Sequence, residues 1–125
     1  MKASRPVYIN LLRIRLPIPG IISILHRVSG VVIFLGLPLL LYLLAQSLTS
    51  QDSFDRLSLT LAEPGMKLAV WVILAAVVWH FLAGIRHLLM DMGLGETLRG
   101  GRFSAYLVLV LAAIIIILLG IALWW

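Results

Sequence analysis

Three long apolar blocks dominate the pattern of hydrophobic and polar positions. Residues 28–45 carry no charge, residues 68–85 carry none apart from one histidine, and residues 103–125 are uncharged to the last. Each block reaches the roughly 18–20 residues needed to cross a hydrocarbon core of about 30 Å. That core holds no water, so each backbone must satisfy its own N–H and C=O groups, and a helix does this within one segment. The blocks are therefore predicted as helices in spite of their Val and Ile content. The expected fold class is all-α: an integral membrane protein of three transmembrane helices, over residues 21–45, 66–92 and 104–125, in a single membrane-anchor domain covering residues 1–125. The first block starts too late for a cleavable signal peptide, and no small-residue cleavage site follows it.

The stretches between the blocks are polar and rich in breakers. Residues 1–20 form a basic lead-in that Pro6, Pro17, Pro19 and Gly20 keep from being one helix. Within it, residues 7–16 mix apolar positions with Arg13 and Arg15, a pattern suited to lying along a membrane surface. Residues 46–65, closed by Glu63, Pro64 and Gly65, read as an outer loop. Gly93, Gly95, Gly100 and Gly101 mark an inner loop. Pro38 falls inside the first block, where it is a source of a kink.

Composition supports the membrane reading. The chain is 62% hydrophobic and 12% charged, and a water-soluble domain carries about twice that charged share. The distribution of Lys and Arg sets the orientation. Lys2, Arg5, Arg13, Arg15, Arg27, Arg86, Arg99 and Arg102 fall on one side of a three-span chain, and only Arg56 and Lys67 on the other. The positive-inside rule makes the richer side cytoplasmic. The N-terminus is then cytoplasmic and the C-terminus periplasmic, with Trp124 and Trp125 at an interfacial position. The expected location is a bacterial inner membrane, with lipid around the helices. The chain lacks a soluble basic face, so nucleic acid is not an expected partner. It also has no cysteine, which rules out thiolate ligation of an iron–sulfur cluster and covalent haem attachment through C-x-x-C-H.

Two clusters of polar residues sit where a membrane helix pays most for them. Ser23, His26, Arg27 and Gly30 follow i, i+3, i+4, i+7 spacing and share one helical face near the membrane boundary. That face suits hydrogen bonding to a quinone carbonyl or pairing with a carboxylate such as a haem propionate. It equally suits plain interfacial anchoring. His80, Gly84, His87 and Asp91 follow i, i+4, i+7, i+11 spacing on a second face. At about 1.5 Å per residue, His80 lies about 16–20 Å from Lys67 and from Asp91, close to mid-membrane. Neutral imidazole is a good iron ligand and a poor lipid neighbour. A transmembrane histidine hydrogen-bonded to another helix is the simpler reading. Gly84, which leaves room for a flat macrocycle, and His87 favour iron, though periodicity leaves both readings open. No other histidine lies deep, so a six-coordinate haem would take its second ligand from another polypeptide. Arg86 falls on a different face and is expected to reach back to the inner surface. Trp71 and Trp79 read as packing or lipid-facing residues.

At these clusters the chain resembles the cytochrome b membrane anchor subunit of succinate:quinone oxidoreductase. Arg5-Pro6 with Ser23-Ile24-Leu25-His26-Arg27-Val28-Ser29-Gly30 resembles the first signature of that family. The run from His80 through Gly84, Arg86, His87 and Asp91 to Gly93 resembles the second. The two occur in the family's order and the likeness covers nearly the whole chain. One departure lies after Arg5-Pro6, where Val7-Tyr8-Ile9-Asn10 replaces the Ser-Pro-His stretch of many members.

The resemblance implies a non-flavin subunit of an enzyme complex that holds no complete active site and no catalytic residue of its own. It implies haem b shared with a second small membrane anchor subunit, and ubiquinone as substrate. It further implies docking of an iron–sulfur subunit and a flavoprotein subunit on the cytoplasmic side. The position matching the family's axial ligand to haem iron is His80. His26, Arg27 and His87 match positions near the haem propionates, and Ser23 and Arg27 match quinone-site positions. The alternatives are a haem-free structural anchor for a soluble partner and a small proton-relaying transporter. Helix three has almost no polar residue between Tyr106 and Trp124, which argues against the transporter.

Overall fold

Proline and glycine chemistry sets where the helices begin and end in the computed structural model, which describes residues 16–125. The elements are α1 (Ile18–Thr49), α2 (Gln51–Ala62), α3 (Pro64–Asp91) and α4 (Leu98–Trp124), with no strand among the described residues. The basic lead-in up to Arg15, including the Arg5-Pro6 motif and nearly all of the expected surface segment, lies outside the described residues.

α1 begins three residues before the expected start at 21. Pro17 is its N-cap and Pro19 falls in its first turn, where the missing N–H removes no helical hydrogen bond and the fixed φ already suits a helix. Pro38 lies inside α1, which continues through it as one element. α4 likewise begins at Leu98 rather than 104. The Thr97 side chain caps it by accepting from the Gly100 N–H at 3.0 Å. Gly100 and Gly101 thus belong to the helix, and only Gly93 and Gly95 to the turn. Gly93, at φ 82°, ends α3. Its N–H donates to the Met90 carbonyl and that of Leu94 to the Leu89 carbonyl, both at 2.9 Å, the paired bonds of a left-handed glycine cap.

The expected outer loop contains a helix. α2 is capped by Ser50, whose hydroxyl accepts from the Ser53 N–H at 3.1 Å. It buries Ser53 and Leu57 towards α1 and α3. Asp52 and Arg56 form an ion pair at 2.6 Å on its open side, an exposed i, i+4 pair of the kind that contributes about 0.3–0.5 kcal/mol.

Among the described residues, α1, α3 and α4 are the helices long and apolar enough to cross a membrane. The shortest, α4, has 27 residues, about 40 Å at 1.5 Å per residue, which exceeds a hydrocarbon core of about 30 Å. α3 packs against both of the others, antiparallel to each. Along α1 and α3, Gly36 meets Ile73, Gly30 meets His80, and His26 meets Gly84. Along α3 and α4, the Trp71 indole donates to the Ile116 carbonyl at 3.1 Å, and Arg86 reaches Gly101 and Ser104 at the other end. The buried centre is small: Ile22, Ala83, Ala105 and Val108, flanked by Ile18, Trp79 and Leu82. Small residues there let the backbones approach closely. Large side chains point outwards instead, Phe34 at 74% and Phe81 at 65% exposure. Water would not favour so much open apolar surface, whereas lipid or partner helices would.

Candidate functional site

The antiparallel pairing of α1 and α3 brings three imidazoles into one stack. His26, two turns into α1, lies between His80 and His87 of α3. Its ring centroid is 4.1 Å from that of His80 and 5.0 Å from that of His87, with planes inclined by 17° and 20°. The i, i+7 spacing of the α3 pair leaves a gap of two turns on one face, and the ring from α1 fills it. All three rings are half-buried.

Backbone carbonyls fix which nitrogen of each α3 ring is protonated. His80 Nδ1 lies 3.0 Å from the His26 carbonyl oxygen, and His87 Nδ1 lies 2.6 Å from the Ala83 carbonyl oxygen. A carbonyl only accepts, so each Nδ1 donates, and in the neutral imidazole the lone pair is then on Nε2. Metal-ligating histidines show this arrangement, in which one ring nitrogen is held by an acceptor and the other is available. Among the described residues no set of three His or acidic side chains converges to hold an ion by itself. A metal held at these residues would need ligands from elsewhere to complete its coordination.

The donor chemistry fits a b-type haem held without covalent attachment, since the Nδ1–H tautomer of His80 leaves Nε2 as the ring's donor nitrogen and the chain has no thiolate to compete for iron. The room around it comes from glycine. A Cβ on Gly30 would lie 3.1 Å from His80 Cε1, and one on Gly84 would lie 3.3 Å from His26 Nε2. Gly84 therefore makes space for the His26 ring.

The remaining expected site residues divide. Ser23 is half-buried, whereas Arg27 and Asp91 are exposed. His26 and Gly30 turn towards α3, and Arg27, 100° further round the helix, does not join them. Two residues were missed. Ser29 is buried, with its hydroxyl 3.2 Å from His80 Nδ1. Its signal was present, because it stands three residues after His26 and beside Gly30. Arg86 does not reach back to the surface. It is 5% exposed, donating from Nε to Ser104 Oγ and from Nη2 to the Gly101 carbonyl, both at 3.1 Å. A cleft of about 390 Å³ between α3 and α4 is lined by residues such as Leu82, Arg86, Leu89, Phe103 and Ser104 and by none of the imidazoles.

Comparison with known proteins shows the family. Residues 1–119 match the family model for the succinate dehydrogenase/fumarate reductase transmembrane subunit. The chain is 46% identical to the succinate dehydrogenase cytochrome b556 subunit of Coxiella burnetii over 125 residues, covering 99% of this chain and all of that one. It is 30% identical to the subunit of the same name from Rickettsia bellii over 118 residues, 93% of this chain and 90% of that one. Against the subunit from Paracoccus denitrificans it is 32% identical over 101 residues, 75% and 72% of the two chains. A likeness that runs the length of the chain, on three membrane-length helices, leads to one conclusion: the chain belongs to the succinate dehydrogenase/fumarate reductase transmembrane subunit family and is related throughout to its cytochrome b556 members.

Proposed function

We propose that this chain is the haem b- and quinone-binding anchor of a succinate dehydrogenase complex. In this reading it sits in a bacterial inner membrane with its N-terminus cytoplasmic and its C-terminus periplasmic. With a second small anchor subunit it docks the iron–sulfur and flavoprotein subunits and helps pass electrons from succinate to ubiquinone. The observation that carries the reading is the His80 imidazole, whose Nδ1 is held by the His26 carbonyl at 3.0 Å, the tautomer that leaves Nε2 as the donor nitrogen. The name cytochrome b556, carried by its relatives, supports the same cofactor.

This chain's residues would act by position. His80 would offer its Nε2 to haem iron, with a residue of the partner anchor completing the ligation. His26 and His87, stacked along the line from His80 towards the α3–α4 turn, offer polar groups for the haem propionates, with Arg27 adding charge. Ser23 and Arg27, one turn apart near the start of α1, offer a hydroxyl and a guanidinium to a quinone carbonyl. The haem, when bound, accepts and returns single electrons within this end of the complex. The Lys and Arg excess on this side supports a cytoplasmic position for these residues, at the face where the iron–sulfur subunit would dock.

The test is a dithionite-reduced minus oxidised spectrum of the purified complex, with wild-type chain and with His80→Ala. A b-type band that is lost or shifted in the variant is the expected result. A flat wild-type spectrum, with the partner subunits present, would leave a haem-free structural anchor instead.

A further inference from the structure

Ser29 does more than fill the contact between α1 and α3. Its hydroxyl, on a residue only 6% exposed, sits in a closed triangle with the His26 carbonyl oxygen and His80 Nδ1. The three sides are 2.8 Å from Ser29 Oγ to the carbonyl, 3.2 Å from Oγ to Nδ1, and 3.0 Å from Nδ1 to the carbonyl. The hydroxyl proton and the ring proton can be assigned from these distances. The carbonyl has no proton, so both neighbours point theirs at it or share theirs. Were Nδ1 unprotonated, its lone pair would face the carbonyl lone pairs at 3.0 Å with nothing between them. The ring therefore carries its proton on Nδ1 and divides it between the carbonyl and Ser29 Oγ, while the hydroxyl donates to the carbonyl. The next residue, Gly30, faces the same edge of the ring: a Cβ there would lie 3.1 Å from Cε1 and 3.5 Å from Nδ1. Successive residues of α1 thus bound the Nδ1 edge of one imidazole.

We propose that Ser29 is a positioning residue for His80: its buried hydroxyl helps lock the Nδ1–H tautomer and aims Nε2 at the haem iron. This rests on the haem reading of His80. Acceptors on Nδ1–H push electron density into the ring and make Nε2 a stronger donor to the ferric state. Removing one of two acceptors weakens that push and leaves the ring freer to rotate. Ser29 touches neither haem nor quinone in this scheme and acts only through His80.

The experiment uses the intact purified complex in three forms: wild type, Ser29→Ala and Ser29→Thr. It reads the haem midpoint potential by mediated titration, the g-values of the oxidised low-spin haem, and the rate of haem loss to an apoprotein acceptor. In Ser29→Ala the potential is expected to rise and haem to leave about tenfold faster, the low end of the 10–100-fold effect of outer-shell partners, because the His26 carbonyl remains. Ser29→Thr keeps the hydroxyl and is expected to restore both. Unchanged potential and haem loss in Ser29→Ala would overturn the proposal. So would equal shifts in the Ala and Thr forms, which would mean that packing alone matters. A wild-type complex without haem would instead overturn the haem reading of His80, and Ser29's role with it, and the wild-type spectrum reports that outcome separately.

Discussion

His80 Nδ1 lies 3.0 Å from the carbonyl oxygen of His26, a residue 54 positions earlier on a different helix. That single bond ties the two sequence clusters together. It joins the start of α1 to the second half of α3, sets the tautomer of the deepest imidazole, and seats the His26 ring over it at 4.1 Å. The site is therefore a product of helix pairing, and the residues that keep the helices paired are part of it.

One such residue is Gly36, which faces Ile73 where α1 meets α3. A Cβ there would stand 2.8 Å from both Cγ1 and Cδ1 of Ile73, and Ile73 is buried and stiff at χ1. Gly36→Ala gains up to about 1 kcal/mol of helix propensity. Overpacking costs about 1–3 kcal/mol, and with two atoms inside 3 Å the clash is expected to win. The thermal midpoint of the detergent-solubilised complex should fall, and Ile73→Ala in the same chain should recover part of the loss. Gly65→Ala, where no atom lies within 4 Å, serves as the comparison. A midpoint in Gly36→Ala no lower than in Gly65→Ala would refute the close-contact account.

Arg86 clamps α3 to α4. Its guanidinium spends two donors on Ser104 Oγ and the Gly101 carbonyl in a nearly closed setting. Arg86→Ala removes both charge-assisted bonds and is expected to destabilise the helix pair by about 1–3 kcal/mol. Arg86→Lys should recover little, because an ammonium on a flexible stem cannot reproduce the planar fork. Limited proteolysis at the turn that holds Gly93 and Gly95 would report the loosening. Equal cleavage of wild type and Arg86→Ala would count against the clamp.

The quinone assignment separates from the haem assignment kinetically. In the assembled complex, Ser23→Ala and Arg27→Ala are expected to slow succinate:quinone turnover about tenfold, the equivalent of one or two hydrogen bonds at about 1.4 kcal/mol per tenfold. Succinate oxidation by a soluble artificial acceptor should persist, and the reduced haem spectrum should keep its amplitude. Quinone turnover at the wild-type rate in Arg27→Ala would remove Arg27 from the site.

Much of this was legible along the chain, because the signals were strong and local. Residues 28–45, 68–85 and 103–125 could only be helices in an apolar medium, since no other structure satisfies its backbone within one segment. Histidine and glycine spacing on α3 was visible because one helical face repeats every three to four residues. Errors came where a residue type has two uses. Pro19 and Gly100 were read as breakers, yet a proline in a first turn and a glycine just after a threonine cap both sit inside helices. α2 was read as loop because its apolar positions are few. The Ser50 cap and the spacing of Phe54, Leu57 and Leu61 were the overlooked signs.

By itself, the sequence determined the three apolar helices, the charge asymmetry between their ends, the absence of thiol ligands and the two polar faces. These depend on the chemistry of each segment and on periodicity within it. Tertiary structure alone decided how the faces meet. It put His26 between His80 and His87, gave the space beside Gly84 to an imidazole, turned Ser29 onto Nδ1 and buried Arg86 against α4. The physical reason is that membrane helices gain little from apolar contact with one another. Their register is set by where small residues allow approach and where buried polar atoms find partners, and those partners lie tens of residues away in sequence.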